Sequence, residues 1–407
     1  MRAAAERLGP LGVRTPLERS DRLSDRYGAD VHLKREDLQA VRSYKIRGAY
    51  NLVSSLPPQT LAAGVVCASA GNHAQGVAWT CRHLGVRGVV FLPVRTPRQK
   101  VGRIAALGGG LVELRFVGDG FDEANDAATD FARHTGATLV PPFDDPRVAA
   151  GQGTVMLEVV EQLGRPPDVA VVPIGGGGLA AGAAACLDGL GAETRLVGVQ
   201  PAGAPAMLRS LQAGHPVTID VTDDFVDGAV VRTPGTFTFA VASDLVHEVL
   251  VVDEGRVCTE QLELYQDDGI VAEPAGALAL AALDQLGDGI AGATVVCVLS
   301  GGNNDVARYS EIVERSLVHQ GLKHYFIVEF PQQPGALRRF LDECLGPTDD
   351  IVLFEYTKKS NRELGPALVG IELADRDDLG PLLERIAGSG IHARHLPPDS
   401  PVFRYLV

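Results

Sequence analysis

Val169-Ala170-Val171-Val172-Pro173-Ile174-Gly175-Gly176-Gly177-Gly178-Leu179-Ala180-Ala181-Gly182-Ala183-Ala184-Ala185-Cys186-Leu187 decides how this chain is read. The stretch is uncharged and long enough to cross a bilayer as one helix. Pro173 and four consecutive glycines exclude that helix, because proline removes a backbone donor and glycine weakens a helix interior. It reads instead as a buried strand (169–174), a tight loop and an Ala-rich buried helix (179–187).

Outward from that stretch the same alternation recurs. Apolar, β-branched runs at 65–68, 88–92, 112–116, 196–199 and 294–299 are predicted strands, each flanked by helical patterns such as 72–84 and 97–107. Runs apolar on both faces that alternate with helices predict an α/β architecture with mostly parallel strands. The opening segment is polar and carries no apolar core of a secretory signal.

The pattern changes near residue 320. Strands at 324–330, 351–359, 367–374 and 391–396, with helices at 336–345 and 375–387, follow a β-α-β-β-α-β order, the ferredoxin-like unit. Residues 360–366 read as the link between its middle strands. The boundary is placed at 318–323, giving domains 1–320 and 321–407, with a smaller subdomain at roughly 50–150 inside the first.

A formal net charge of −14 and a pI near 5.2 argue against nucleic acid or an anionic membrane as partner. The six cysteines are scattered, without a C-x-x-C pair, and read as buried reduced thiols of a cytoplasmic protein; no metal site is expected. The 47 glycines matter because they cluster where backbone must approach a ligand.

Four motifs carry chemistry. Lys45, in Ser43-Tyr44-Lys45-Ile46-Arg47-Gly48-Ala49, is by itself an ordinary lysine near a helix start. Ser69-Ala70-Gly71-Asn72-His73-Ala74-Gln75-Gly76-Val77 follows a strand and opens a helix, where free N–H groups suit a carboxylate. Ser69 and Asn72 also read as N-cap residues, and His73 as a structural support of the loop. Gly175, Gly176, Gly177, Gly178 and Leu179 form a loop able to close around a phosphate. Gly175, Gly177 and Ala180 also fit the dinucleotide pattern G-x-G-x-x-A, but the next strand ends in Gln200 rather than the acid that would hold a ribose. Ser300, in Leu299-Ser300-Gly301-Gly302-Asn303, ends a further buried strand.

Together these motifs, with Pro142-Phe143-Asp144-Asp145-Pro146 and Ala150-Gly151-Gln152-Gly153-Thr154, resemble the serine/threonine dehydratase branch of the fold-type II pyridoxal-phosphate enzymes, over roughly residues 10–315. The resemblance implies that pyridoxal 5'-phosphate is attached to Lys45, which then acts as base at Cα. It implies that Asn72 bonds the cofactor's phenolic oxygen, that Gly175 to Leu179 bind its phosphate, and that Ser300 faces its ring nitrogen. Ser69, Ala70, Gly71 and Asn72 would bracket the substrate carboxylate. Tyr44 stands where phenylalanine is common. Glu273-Pro274-Ala275-Gly276 and Asp227-Gly228 would line the pocket by the family pattern, although a helix cap and a turn are the preferred reading of the residues themselves.

A hydroxyl partner leaves the ring nitrogen largely unprotonated, which suits β-elimination over a long-lived carbanion. Ala70 replaces the second serine of eukaryotic-type racemases, which argues against racemisation. The implied reaction is deamination of L-threonine to 2-oxobutanoate and ammonia, the first step of isoleucine biosynthesis. The alternatives are a serine-preferring dehydratase, a serine racemase with elimination activity, or a cofactor-binding amino-acid sensor. The C-terminal unit resembles a single ACT-like regulatory domain, implying isoleucine as effector, with valine opposing it, and a homo-oligomer (dimer or tetramer).

Overall fold

Every residue of the run Val169–Pro173 is buried, and its neighbours on both sides are parallel strands, the arrangement that an all-apolar run requires. The computed structural model describes residues 1–358, 363–397, 400 and 403, in two compact units, Met1–Asp305 and Val306–Val407.

In the first unit the strands are β1 (Leu17–Arg19), β2 (Asp30–Arg35), β3 (Val65–Ala68), β4 (Gly88–Leu92), β5 (Val112–Phe116), β6 (Thr138–Leu139), β7 (Val169–Pro173), β8 (Arg195–Pro201), β9 (Glu248–Val252) and β10 (Thr294–Leu299). They form a six-stranded sheet, ordered β1-β2-β10-β7-β8-β9, and a four-stranded sheet, ordered β5-β4-β3-β6. Only the β1–β2 ladder is antiparallel. This is the α/β architecture with mostly parallel strands expected from the sequence.

Four strands escape the sequence reading for identifiable reasons. The polar opening segment contains β1 and β2, where Arg19, Asp30, Lys34 and Arg35 mask the strand signal; β2 buries Lys34 completely. β6 is only two residues long, and β9 is an edge strand with four half-buried positions. β5 was expected as a continuous apolar strand; it lies at a sheet edge with no position fully buried, which accommodates Glu113 and Arg115.

The second unit holds β11 (Lys323–Pro331), β12 (Asp350–Tyr356), β13 (Leu364–Glu372) and β14 (His392–Leu396), all antiparallel in the order β12-β13-β11-β14. Helices Ala336–Cys344 and Leu379–Gly388 contribute Phe340, Leu382 and Ile386 to a core with Phe326, Val328, Phe330, Val369 and Ile371. Of the link expected at 360–366, residues 360–362 lie outside the described residues, and Leu364 to Pro366 belong to β13. Helix Tyr309–His319 falls in this unit, where Glu314 accepts from the Tyr325 hydroxyl and pairs with Lys323.

All six cysteines are buried and none is in a disulfide. Among the described residues no helix is long and apolar enough to cross a membrane.

Candidate active site

Three loops carrying the sequence motifs leave the carboxyl ends of β3, β7 and β10, where open α/β sheets bind ligands. Because β3 belongs to the smaller sheet and β7 and β10 to the larger, the cleft draws on both. Lys45 opens the helix Lys45–Ser54 and is stitched to the end of β10. The Tyr44 N–H donates to the Ser300 carbonyl at 3.1 Å, and the Gly302 N–H to the Arg42 carbonyl at 2.9 Å. Lys45, Asn72, Gly175 and Ser300 line one cleft with Tyr44, Gly228, Ala229, Glu273 and Ala275.

Inside it, the Lys45 Nζ donates to the Pro142 carbonyl at 3.0 Å. Burial pulls this ammonium down from 10.5 to about 8, with the Glu273 carboxylate acting in the opposite sense. Burial pushes Glu273 up from 4.5 to about 7, and the Asp227 charge adds to that, while the Asn72 amide and Lys100 oppose it. The Asn72 Nδ2 donates to Glu273 Oε1 at 2.6 Å, and its Oδ1 accepts from Asn303 Nδ2 at 2.7 Å. The cleft thus keeps an amine and a carboxyl that both titrate near neutrality, the condition for proton transfer at working pH.

The glycine loop is shaped by close approach. A Cβ on Gly176 would meet the Phe143 ring at 2.3 Å, and Gly177 holds a φ of +95°, which side-chain-bearing residues rarely adopt. The Thr238 hydroxyl ties the loop down by donating to the Gly176 carbonyl at 2.6 Å. Gly178 begins the 12-residue helix Gly178–Gly189, so the loop ends at a helix N-terminus, a natural anion site. Leu179 is buried in the core beside Ala180 and Ala183, leaving only its backbone for a ligand. Gln200 is fully buried; its amide lies 3.4 Å from the Ile174 carbonyl and accepts from the Leu208 N–H, a supporting role for the loop.

Ser300 is buried, and its hydroxyl donates to the Ala275 carbonyl at 3.0 Å. To donate to a ring nitrogen it would rotate that proton into the cleft. In the loop after β3, the Ser69 hydroxyl accepts from the Gly71 N–H at 3.1 Å, and Ala70 packs on the core beside the four-stranded sheet. Neither Ser69 nor Asn72 is the N-cap: Gly71 is, and no side chain caps the helix Asn72–Leu84. Its first-turn N–H groups therefore have no side-chain acceptor. His73 is buried against the Val140 carbonyl at 2.8 Å, and burial pulls it down to about 3, so it stays neutral.

Two features were under-read in the sequence. Glu273 does stand at a helix N-cap, but it makes no side-chain capping bond, and its carboxyl lines the cleft. The available signal was the helix it precedes: Pro274–Ala281 is apolar all round, so a carboxyl at its start had to be buried too. Residues 142–145 each brace a different part of the site. Pro142 accepts from Lys45, Phe143 backs the glycine loop, Asp144 accepts from the N–H groups of Thr236, Phe237 and Thr238, and Asp145 accepts from the Arg147 N–H.

Arg47, two residues beyond Lys45, is fully buried in a saturated ion network. It bonds Glu36 at 2.7 and 2.8 Å and Glu158 at 2.6 and 2.9 Å, and Lys34 reaches Glu158 at 2.7 Å. Despite its burial, Arg47 holds Glu36 below the usual carboxylate range.

An amine of lowered basicity, an anion-binding loop and a hydroxyl in one cleft fit a pyridoxal-phosphate-type cofactor: a covalent anchor, a phosphate cup and a partner for the ring nitrogen. Comparison with known proteins agrees. Residues 9–301 match the family described as "Pyridoxal-phosphate dependent enzyme", and residues 314–406 the "C-terminal regulatory domain of Threonine dehydratase". The chain is 58% identical to the biosynthetic L-threonine dehydratase of Mycobacterium leprae, covering 99% of this chain and 95% of that protein. The processed form of threonine deaminase isoform 2 from Solanum lycopersicum superposes with a TM-score of 0.70 at 35% identity, over 75% of this chain and 83% of that one. Maize serine racemase superposes with a TM-score of 0.71 at 30% identity, over 78% of this chain and 97% of that one. The chain belongs to the pyridoxal-phosphate-dependent enzymes, and within them to the biosynthetic L-threonine dehydratase family.

Proposed function

We propose that the chain deaminates L-threonine to 2-oxobutanoate and ammonia by β-elimination of water, the first step of isoleucine biosynthesis in the cytoplasm. The observation that carries this reading is the cleft shared by Lys45, Gly175, Asn72 and Ser300. Bound pyridoxal phosphate supplies an electron sink that acidifies the substrate Cα–H. Lys45 would anchor the cofactor and, as a free amine, take the Cα proton; near pH 7 roughly a tenth of an amine with its lowered basicity is neutral. The loop Gly175 to Gly178, with the Leu179 backbone, would hold its phosphate. Asn72 would donate to the cofactor's phenolic oxygen, and Ser300 would serve its ring nitrogen. Ser69, Ala70, Gly71 and the uncapped helix start at Asn72 hold the substrate carboxylate. Ala70 stands at the sequence position where racemases carry a second base, so reprotonation from the far face is unsupported, which favours elimination over racemisation.

The C-terminal unit is read as the isoleucine-responsive domain, residues 321–407 with helix Tyr309–His319 as its lead-in, in a homo-oligomeric enzyme. The test is direct. Purified protein should show the near-visible cofactor band and release 2-oxobutanoate from threonine faster than pyruvate from serine, with no D-serine formed. Lys45→Ala should lose both band and turnover. A wild type that neither binds the cofactor nor turns threonine over sinks the proposal, and turnover indifferent to isoleucine sinks its regulatory half.

A further inference from the structure

The hydrogen bonds around Asn72 form a directed chain. The Asn303 Nδ2 donates to the Val41 carbonyl at 2.8 Å and to Asn72 Oδ1 at 2.7 Å. A carbonyl can only accept, so the Val41 bond fixes which end of the Asn303 amide faces which way. That in turn makes Asn72 Oδ1 the acceptor and Nδ2 the donor. One Nδ2 hydrogen goes to Glu273 Oε1 at 2.6 Å, and the other is left for the cleft.

The fold makes room for this carboxyl. A Cβ on Gly301 would sit 2.2 Å from Glu273 Oε1, so any side chain there would displace it. Glu273 is 5% exposed and, among the described residues, forms no ion pair. The charged and titratable groups that face it are Lys45 and Tyr44 from the lysine segment, Asp227 from the loop before Gly228, and Lys100 from the helix Arg98–Gly108.

We infer that Glu273 is a positioning residue whose carboxyl, the one ionisable link in the chain Val41–Asn303–Asn72–Glu273, aims the Asn72 N–H into the cleft and, by binding or releasing a proton, sets the charge that Asn72 and Lys45 meet there. The inference rests on the reading of Asn72 and Lys45 as cofactor-binding residues. The sequence places Glu273 only as a pocket-lining residue of Glu273-Pro274-Ala275-Gly276, without a role towards Asn72 or Lys45. Its burial and the neighbouring Asp227 both hold its proton near neutral pH, in agreement with the geometry.

The experiment compares wild type with Glu273→Gln, which keeps an oxygen to accept from Asn72 but cannot ionise. The absorbance of cofactor-loaded protein is titrated from about pH 6 to about pH 9. Wild type should show a transition with a midpoint near the Glu273 value of about 7. In Glu273→Gln the band should persist, while the midpoint moves by at least one pH unit, a tenfold change in proton binding, or vanishes. An unchanged midpoint overturns the inference while leaving the cofactor reading intact; a wild type with no band at all would instead overturn the cofactor reading. If Glu273→Gln does not load, infrared difference spectra of the unloaded proteins decide. A protonated-carboxyl signal that wild type loses across about pH 6 to 8, and that Glu273→Gln lacks, supports the inference, and its absence from wild type overturns it. Asn303→Ala should weaken cofactor retention at least tenfold; retention equal to wild type also overturns it.

Discussion

Lys45 and Arg47 lie two residues apart at the start of one helix, and they meet opposite electrostatic surroundings. Arg47 is buried among Glu36, Glu158, Thr154 and the Val13 carbonyl, so its charge is fully matched. Lys45 has one carbonyl and a distant-acting carboxyl that is itself reluctant to ionise. The first arrangement makes charge permanent and the helix start immovable. The second keeps charge negotiable where protons must move. The difference between structural and reactive burial here is the number of partners, not depth.

The comparison can be broken from either side. Arg47→Ala leaves Glu36 buried without its main counter-charge, and should destabilise the protein by about 3–5 kcal/mol, read as a lower urea midpoint at unchanged slope. Pairing Arg47→Met with Glu36→Leu should recover much of that loss; if it does not, the network contributes more than mutual neutralisation. Lys45→Met should do the reverse, removing turnover while stabilising the cofactor-free protein at neutral pH by about 1–3 kcal/mol.

The sign follows from the lowered folded-state value of Lys45. Below about 8 the folded protein must hold a charged, desolvated amine, while the unfolded chain protonates freely up to 10.5. The advantage of Lys45→Met should therefore be full below about pH 8 and fade as pH rises to about 10.5. A pH-independent difference in Tm would mean that Lys45 is not strained by burial. The smallest effect is expected at Lys100→Ala. Its pair with Asp227 at 2.7 Å is partly exposed on both sides, so the stability change should stay within about 1 kcal/mol and shrink with added salt.

The same contrast explains what the sequence reveals. Apolar runs announce themselves, so β3, β7 and β10 and the loops at their ends were legible, as was the whole order of the C-terminal unit. β2 was not, because Lys34 and Arg35 sit in it, and a lysine is a poor strand-core signal until Glu158 is known to meet it. Lys45, Asn72, Gly175 to Gly178 and Ser300 lie in compact local motifs that stand out in the sequence, and the fold brings Lys45, Asn72, Gly175 and Ser300 to one cleft. Glu273, Asn303 and residues 142–145 act through partners far along the chain, such as Asn72 at a separation of 201 residues from Glu273, and no local pattern encodes such a meeting.

Residues 142–145 have a consequence for how this chain can diverge. Four consecutive positions face four different partners: the Lys45 amine, the glycine loop, the start of helix Thr236–Leu245 and the start of helix Pro146–Gln152. A point change at one of them disturbs one contact, whereas a single-codon insertion or deletion shifts the register of all four at once. This short connection should thus tolerate no change of length among functional variants, unlike ordinary surface loops, in which insertions are readily absorbed.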